Sequence, residues 1–194
     1  RWTDYVKKGG NLVLTCRTAQ KDRHGRLPEA PFGSMINELT GNEMEFYDLL
    51  LLEEPGKLRM DGKEYTWNTW GEILKPGKDS QVWATYTQEF YEGKPAVTTR
   101  KLGKGTVTYV GVDSTDGLLE KDILKKLYAQ LNIPVMDLPY GVTLEYRNGM
   151  GIVLNYTDKP YNFVLPSGAK VLIGEPVICL LYTSPSPRDG ATSR

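Results

Sequence analysis

The chain has 194 residues, 40% of them hydrophobic and 25% charged, and its 24 basic and 24 acidic side chains leave a formal net charge of zero. That balance is ordinary for a globular protein and gives no electrostatic reason to expect nucleic acid or an anionic membrane surface as partner. An apolar run such as LLLL at 49–52 is far too short to span a bilayer, so no membrane association is expected.

In chain order, RWTDYVKK at 1–8 reads as the last turns of an amphipathic helix, with Trp2, Tyr5 and Val6 on one face. A fold that opens this way is expected to be N-terminally truncated, so the lack of a signal peptide says nothing about export. A cytoplasmic location is the working expectation. Gly9 and Gly10 stop the helix, and NLVLT at 11–15 is apolar in the manner of a buried parallel strand. A polar loop follows, then a short helix, MINELT, which Ser34 is expected to cap and Gly41 to close. NEMEFYDLLLL is expected to be extended, with Met44 and Phe46 alternating against Glu43 and Glu45.

The middle of the chain is rich in β-branched and aromatic residues, and LGKG at 102–105 fits a hairpin connection. Between 116 and 134 the spacing of Leu119, Ile123, Leu127 and Leu131 predicts a helix, widened by Leu118 and Leu124. Asp116 is its expected N-cap and Pro134 its stop. A strand, Asp113 and then a helix is α/β grammar. From about residue 140 the pattern changes: VTLEYR and MGIVLNY flank Asn148-Gly149, a strong hairpin signal, and YNFVL and AKVLI predict two further short strands. Three segments are therefore expected: an α/β unit at 1–137, a small antiparallel β unit at 138–178, and a Ser/Pro/Arg-rich tail at 179–194, either non-native or disordered.

Setting the tail aside removes Cys179 and leaves Cys16, at the end of a strand where an α/β fold could place a nucleophile. Its neighbours are Thr15, Arg17 and Thr18 rather than the glycines of a sharp elbow, and the lone histidine, His24, lies in the following loop. Cys16 therefore reads as scaffold. One histidine and one usable cysteine supply no recognisable zinc spacing, and no phosphate-binding glycine loop is present. No catalytic, cofactor-binding or metal-binding residue is assigned, and no cofactor is expected. Glu72, Glu89, Glu92, Asp113 and Asp116 are carboxylates that sequence alone does not pair. Trp67, Trp70, Trp83, Tyr86, Phe90 and Tyr91 cluster within a short span and suit either a core or a subunit interface, with sugar stacking a third reading.

The ordered blocks YVKKGGNLVLT, ELTGNEMEFYD and TWGEILKPGKDSQVWATYTQEFYEGKPAVTTRKLGKGTVTYVGVD resemble the trimerisation domain of family 42 glycoside hydrolases, the β-galactosidases. GVTLEYRNGMGIVLNYTDKP and AKVLIG resemble the small C-terminal domain of the same enzymes. The resemblance implies an amidotransferase-like (flavodoxin-like) parallel-sheet domain that takes part in a homotrimer around an active-site funnel. It also implies hydrolysis of terminal β-D-galactosides with retention by two glutamates on a (β/α)8 barrel, none of which is carried over to a residue here. The galactoside would meet that barrel. Trp67, Trp70, Tyr91, Gly93, Lys94 and Pro95 are the residues expected to serve an interface or to hold the domain's structure. A free-standing amidotransferase-like enzyme or a sugar-binding module is the competing expectation.

Overall fold

Helix α1 (Trp2–Lys7) gives way at Gly9, whose φ of +115° suits a residue without a side chain. The chain then enters strand β1 (Asn11–Thr15). Of the expected helical face only Val6 is buried, while Trp2 and Tyr5 are exposed. The computed structural model describes residues 1–27, 29 and 34–178. The 179–194 segment, with Cys179, lies outside the described residues. The chain divides into two compact units, Arg1–Ile133 and Pro134–Arg194.

In the first unit a 3-10 turn (Ser34–Ile36) leads into a single turn of helix, α2 (Asn37–Thr40). Ser34 opens that turn instead of capping α2, which has no side-chain N-cap bond, and Gly41 closes α2 at φ +72°. The strands that follow are β2 (Asn42–Asp48), β3 (Gly56–Met60), β4 (Lys63–Pro76), β5 (Ser80–Tyr86), β6 (Pro95–Leu102), β7 (Gly105–Val110) and β8 (Val112–Ser114). Met44 and Phe46 alternate inward against Glu43 and Glu45 as expected, but β2 stops at Asp48 and the leucines beyond it are not strand.

The parallel sheet that the strand–helix grammar suggested is limited, among the described residues, to one pair. β1 runs parallel to β7, with Leu12 opposite Val107 and Leu14 opposite Tyr109. Every other pairing of this sheet is antiparallel. For the β3–β4 and β6–β7 pairs short turns are the cause, because the Asp61-Gly62 and Gly103-Lys104 connections leave no room for a crossover. Gly105 is needed where β7 begins: a Cβ there would stand 2.0 Å from the Gly10 carbonyl oxygen and 2.5 Å from that of Val6.

The antiparallel strands close on themselves. β4 pairs with β3, β3 with β5, β5 with β6 and β6 with β7. β8 follows β7 after Gly111 alone and pairs back to β4, with the Gly111 carbonyl accepting from the Glu72 N–H at 2.7 Å. A barrel-like ring results, in which the long β4 serves β3 with its first half and β2 with its second. Closure leaves β1 and β2, each paired on one side among the described residues, as the edges of the sheet.

Leu58, Trp67, Ile73, Tyr86, Val97, Val110 and Val112 form the main core with Leu119, Ile123 and Leu127 of helix α3 (Leu118–Gln130). The expected stripe is narrower than its sequence pattern, because Leu118, Leu124 and Leu131 stay exposed. Gly117 is the N-cap residue, at φ +71°, while the Asp116 carboxylate one step earlier accepts from the Leu118 N–H at 3.0 Å. Lys63–Asp122 and Lys126–Asp61 ion pairs, at 2.6 and 2.7 Å, tie α3 to the β3–β4 hairpin.

The second unit is thinner. β9 (Val142–Arg147) and β10 (Met150–Asn155) form the predicted hairpin, turning on Asn148 at φ +51° and Gly149 at φ +76°. β11 (Tyr161–Asn162) pairs with β12 (Val177–Ile178), whereas the expected strand AKVLI is not one. Asn155 is fully buried there, and its amide donates to the carbonyls of Lys159 and Ile178 at 2.8 and 3.1 Å. Val142 and Phe163 are buried in the same unit.

Candidate functional site

β1 and β7 end together, and Arg17 just beyond β1, Tyr109 near the end of β7 and Trp70 of β4 meet around one carboxylate of β4. Glu72 is 1% exposed. Its Oε1 accepts from the Arg17 backbone N–H at 2.7 Å and from Trp70 Nε1 at 3.0 Å, and its Oε2 accepts from the Tyr109 hydroxyl at 2.6 Å. Burial raises the Glu72 pKa, and these donors oppose the rise. Arg17 also lies over the Trp70 ring at 5.1 Å, and Tyr47 stacks on Trp70 with centroids 4.4 Å apart. Two non-glycine residues beside this stack, Arg17 and Thr69, adopt φ of +64° and +66°. Thr69 is β-branched, which makes that conformation strained. It sits at the register shift between Trp67 and Gly71.

Cys16 adjoins this cluster. Burial, followed by the negative charges of Glu72 and Asp113, pushes its thiol up to about 12. A thiol so placed stays protonated at neutral pH and is a poor nucleophile. His24 bonds instead to its neighbours, its Nε2 accepting from Arg23 at 3.0 Å and its backbone N–H donating to Asp22 at 2.8 Å. Among the described residues no group of His, Cys, Asp or Glu could hold a metal ion, and no helix is long and apolar enough to cross a membrane.

The aromatic residues separate by environment. Trp67, Trp70 and Tyr91 are buried. Trp67 meets Tyr86 edge-on at 5.6 Å, Tyr86 meets Tyr91 at 5.0 Å, and the Tyr91 hydroxyl donates to Asp48 at 2.7 Å. The turn between β5 and β6 carries the surface. Gly93, at φ +81°, donates its N–H to Tyr86, Lys94 pairs with Glu45 at 3.0 Å, and Pro95 is half-buried opposite Thr85. Phe90 is 83% exposed and stacks on Phe46 at 5.5 Å.

Two features escape the sequence pattern. Glu72 resembles any other carboxylate in the sequence; its one distinguishing sign is its place between Trp70-Gly71 and Ile73-Leu74, a locally apolar stretch. Leu49, Leu51 and Leu52 were expected to continue a strand, yet they stand exposed beside the turn that Asp48 and Tyr91 join. A shallow recess of about 350 Å³ lies elsewhere, lined by Asn37, Glu38, Glu43 and Lys75 among others and by no aromatic ring on which a sugar could stack.

Residues 1–139 match the family described as the β-galactosidase trimerisation domain. A β-galactosidase of Haloferax lucentense is 31% identical over 176 residues, covering 91% of this chain and 26% of the relative. One of Clostridium cellulovorans is 33% identical over 156 residues, covering 75% of this chain and 22% of the relative. Among solved structures, the β-galactosidase of the Antarctic haloarchaeon Halorubrum lacusprofundi superposes with a TM-score of 0.74 at 28% identity, over 81% of this chain and 24% of that one. The cold-adapted β-galactosidase of Rahnella sp. R3 shares the fold, with a TM-score of 0.74 over 83% of this chain and 26% of that one. The chain thus spans about a quarter of the length of these relatives.

Proposed function

This chain belongs to the β-galactosidase trimerisation-domain family, and from that premise we propose that it is the non-catalytic assembly part of a retaining β-galactosidase. It would hold three copies of the longer enzyme around an active-site funnel, while hydrolysis of terminal β-D-galactosides takes place on a catalytic barrel elsewhere in that enzyme. The observation that carries this reading is the family match over residues 1–139, which takes in the whole of the Arg1–Ile133 unit. We assign 1–137 to the trimerisation domain and 138–178 to a small antiparallel C-terminal domain. The amidotransferase-like label belongs to the same proposal. What supports it is the β1–β7 parallel pair and the placing of Cys16 just beyond the end of β1.

The competing enzyme reading needs a reactive thiol, and the burial and negative surroundings of Cys16 work against one. Sedimentation equilibrium of the 21.8 kDa chain, paired with an assay on nitrophenyl β-galactoside, tests the proposal. A mass of three chains and no hydrolysis is the expected result. A chain that stays monomeric at every concentration overturns the assembly role, and hydrolysis by the chain alone overturns the non-catalytic one.

A further inference from the structure

The first unit has two unlike poles. One is the turn between β5 and β6 together with the segment 49–55, both flanks of which it bonds: the Tyr91 hydroxyl donates to Asp48 at 2.7 Å and the Thr87 N–H to the carbonyl of Lys57, in β3, at 3.0 Å. Exposed Leu51, Leu52 and Phe90 stand there among exposed Glu53, Glu89 and Glu92. Lys57, at the start of β3, and Lys94, in the turn, are paired with Glu64 and Glu45. The other pole is the end of α1 with the β6–β7 turn, where the Lys104 N–H donates to the Lys7 carbonyl at 3.1 Å. Lys7, Lys8, Lys101 and Lys104 are exposed around it, and so are Trp2 and Tyr5. Asp4 is the acidic residue of α1, and it faces the chain's own amino terminus at 3.8 Å. Strand β6 connects the poles, and its eight residues set them about 23 Å apart at the rise of a strand.

We propose that the acidic, leucine- and phenylalanine-bearing pole of one chain docks on the lysine-rich, tryptophan- and tyrosine-bearing pole of a second copy, head to tail. This rests on the assembly reading above and specifies its interface. A ring of three requires a contact between two different patches, because a patch that meets itself closes a two-fold dimer. Pressing either pole against its own copy would set like charge on like charge, which opposes association, whereas head-to-tail contact pairs glutamates with lysines around an apolar centre. The two poles lie at opposite ends of one strand, so each chain offers one to each neighbour.

Charge reversal tests this in the chain itself, by sedimentation equilibrium at low salt, with circular dichroism to check folding. Glu89→Lys with Glu92→Lys should weaken the trimer by about tenfold or more, and Lys101→Glu with Lys104→Glu should do the same. All four substitutions in one chain restore opposite charges across the contact, and trimer affinity should return to within roughly threefold of the original. A trimer that either pair of reversals leaves unchanged, or that the fourfold variant fails to restore, overturns the head-to-tail contact while the assembly role stands. An unsubstituted chain that never trimerises overturns the assembly role itself. Because the reversals are at exposed positions, Phe90→Ser serves as a second probe that changes no charge. It should also weaken the trimer, and an unaltered trimer counts against the docking surface.

Discussion

Glu72 shows what one residue can hold in place. Three donors from separate parts of the chain, the Arg17 N–H, the Trp70 indole and the Tyr109 hydroxyl, converge on it. Replacing it with leucine leaves these donors without their acceptor, and a buried unsatisfied donor costs about 1–3 kcal/mol. Glu72→Leu should therefore lower stability to urea by roughly 3 kcal/mol or more, whereas Glu72→Gln, which keeps an acceptor, should lose much less. The pH dependence of that comparison has a definite sign. Because the Glu72 pKa is raised in the fold, its contribution is full below the ordinary carboxylate range and is lost as pH rises through the raised value. Glutamine has no such slope, so stability measured against pH should shift in favour of Glu72→Gln as the solution leaves the acid range. A constant difference would mean that the carboxylate titrates alike in both states.

At the scale of elements, α3 separates pattern from placement. Ile123 is fully buried in the core and Leu124, the next residue, is exposed. Ile123→Ala should cost about 2–5 kcal/mol in a urea melt, and Leu124→Ala should stay within about 0.5 kcal/mol. Equal losses would show that α3 is seated differently. The helix was legible because its four-residue spacing is local, but which leucines turn inward depends on the barrel wall, which no spacing reveals. The hairpins at 102–105 and 148–149 were legible for the same reason, since a turn is written in two or three adjacent residues. Ring closure was not. It depends on β8 reaching β4 across some forty residues of chain, a nonlocal pairing with no local sign. The aromatic cluster was visible in the sequence, yet the division of Trp67 and Tyr91 from Phe90 is set by the β5–β6 turn, which directs one ring outward. AKVLI failed as a strand prediction because β-propensity measures fit to a pleated surface, and these residues have no described partner strand.

Across the whole chain, stability is unevenly distributed. The first unit has an interlocked core, while the described part of the second buries Val142, Asn155 and Phe163. Amide hydrogen exchange should accordingly reveal two classes, with β9 and β10 exchanging by openings of much lower free energy than β5, β6 and β7. A single shared opening energy would mean that the two units unfold as one. The net charge of zero also conceals structure at this scale, since Glu89 and Glu92 stand exposed at the β5–β6 turn and Lys101 and Lys104 stand exposed about the β6–β7 turn.

The single parallel pair has a consequence for how the protein is made. Thr106 and Asn11, which face each other across β1 and β7, are 95 residues apart in the chain. A ribosome adds roughly 5–20 residues per second, so β1 waits on the order of 5–20 s for its partner to be synthesised. During that interval the edge of β1 that will meet β7 stays unpaired, while the antiparallel hairpins behind it can form within microseconds of emerging. Synthesis order therefore leaves β1 waiting longer for its partner than any strand paired through a short hairpin.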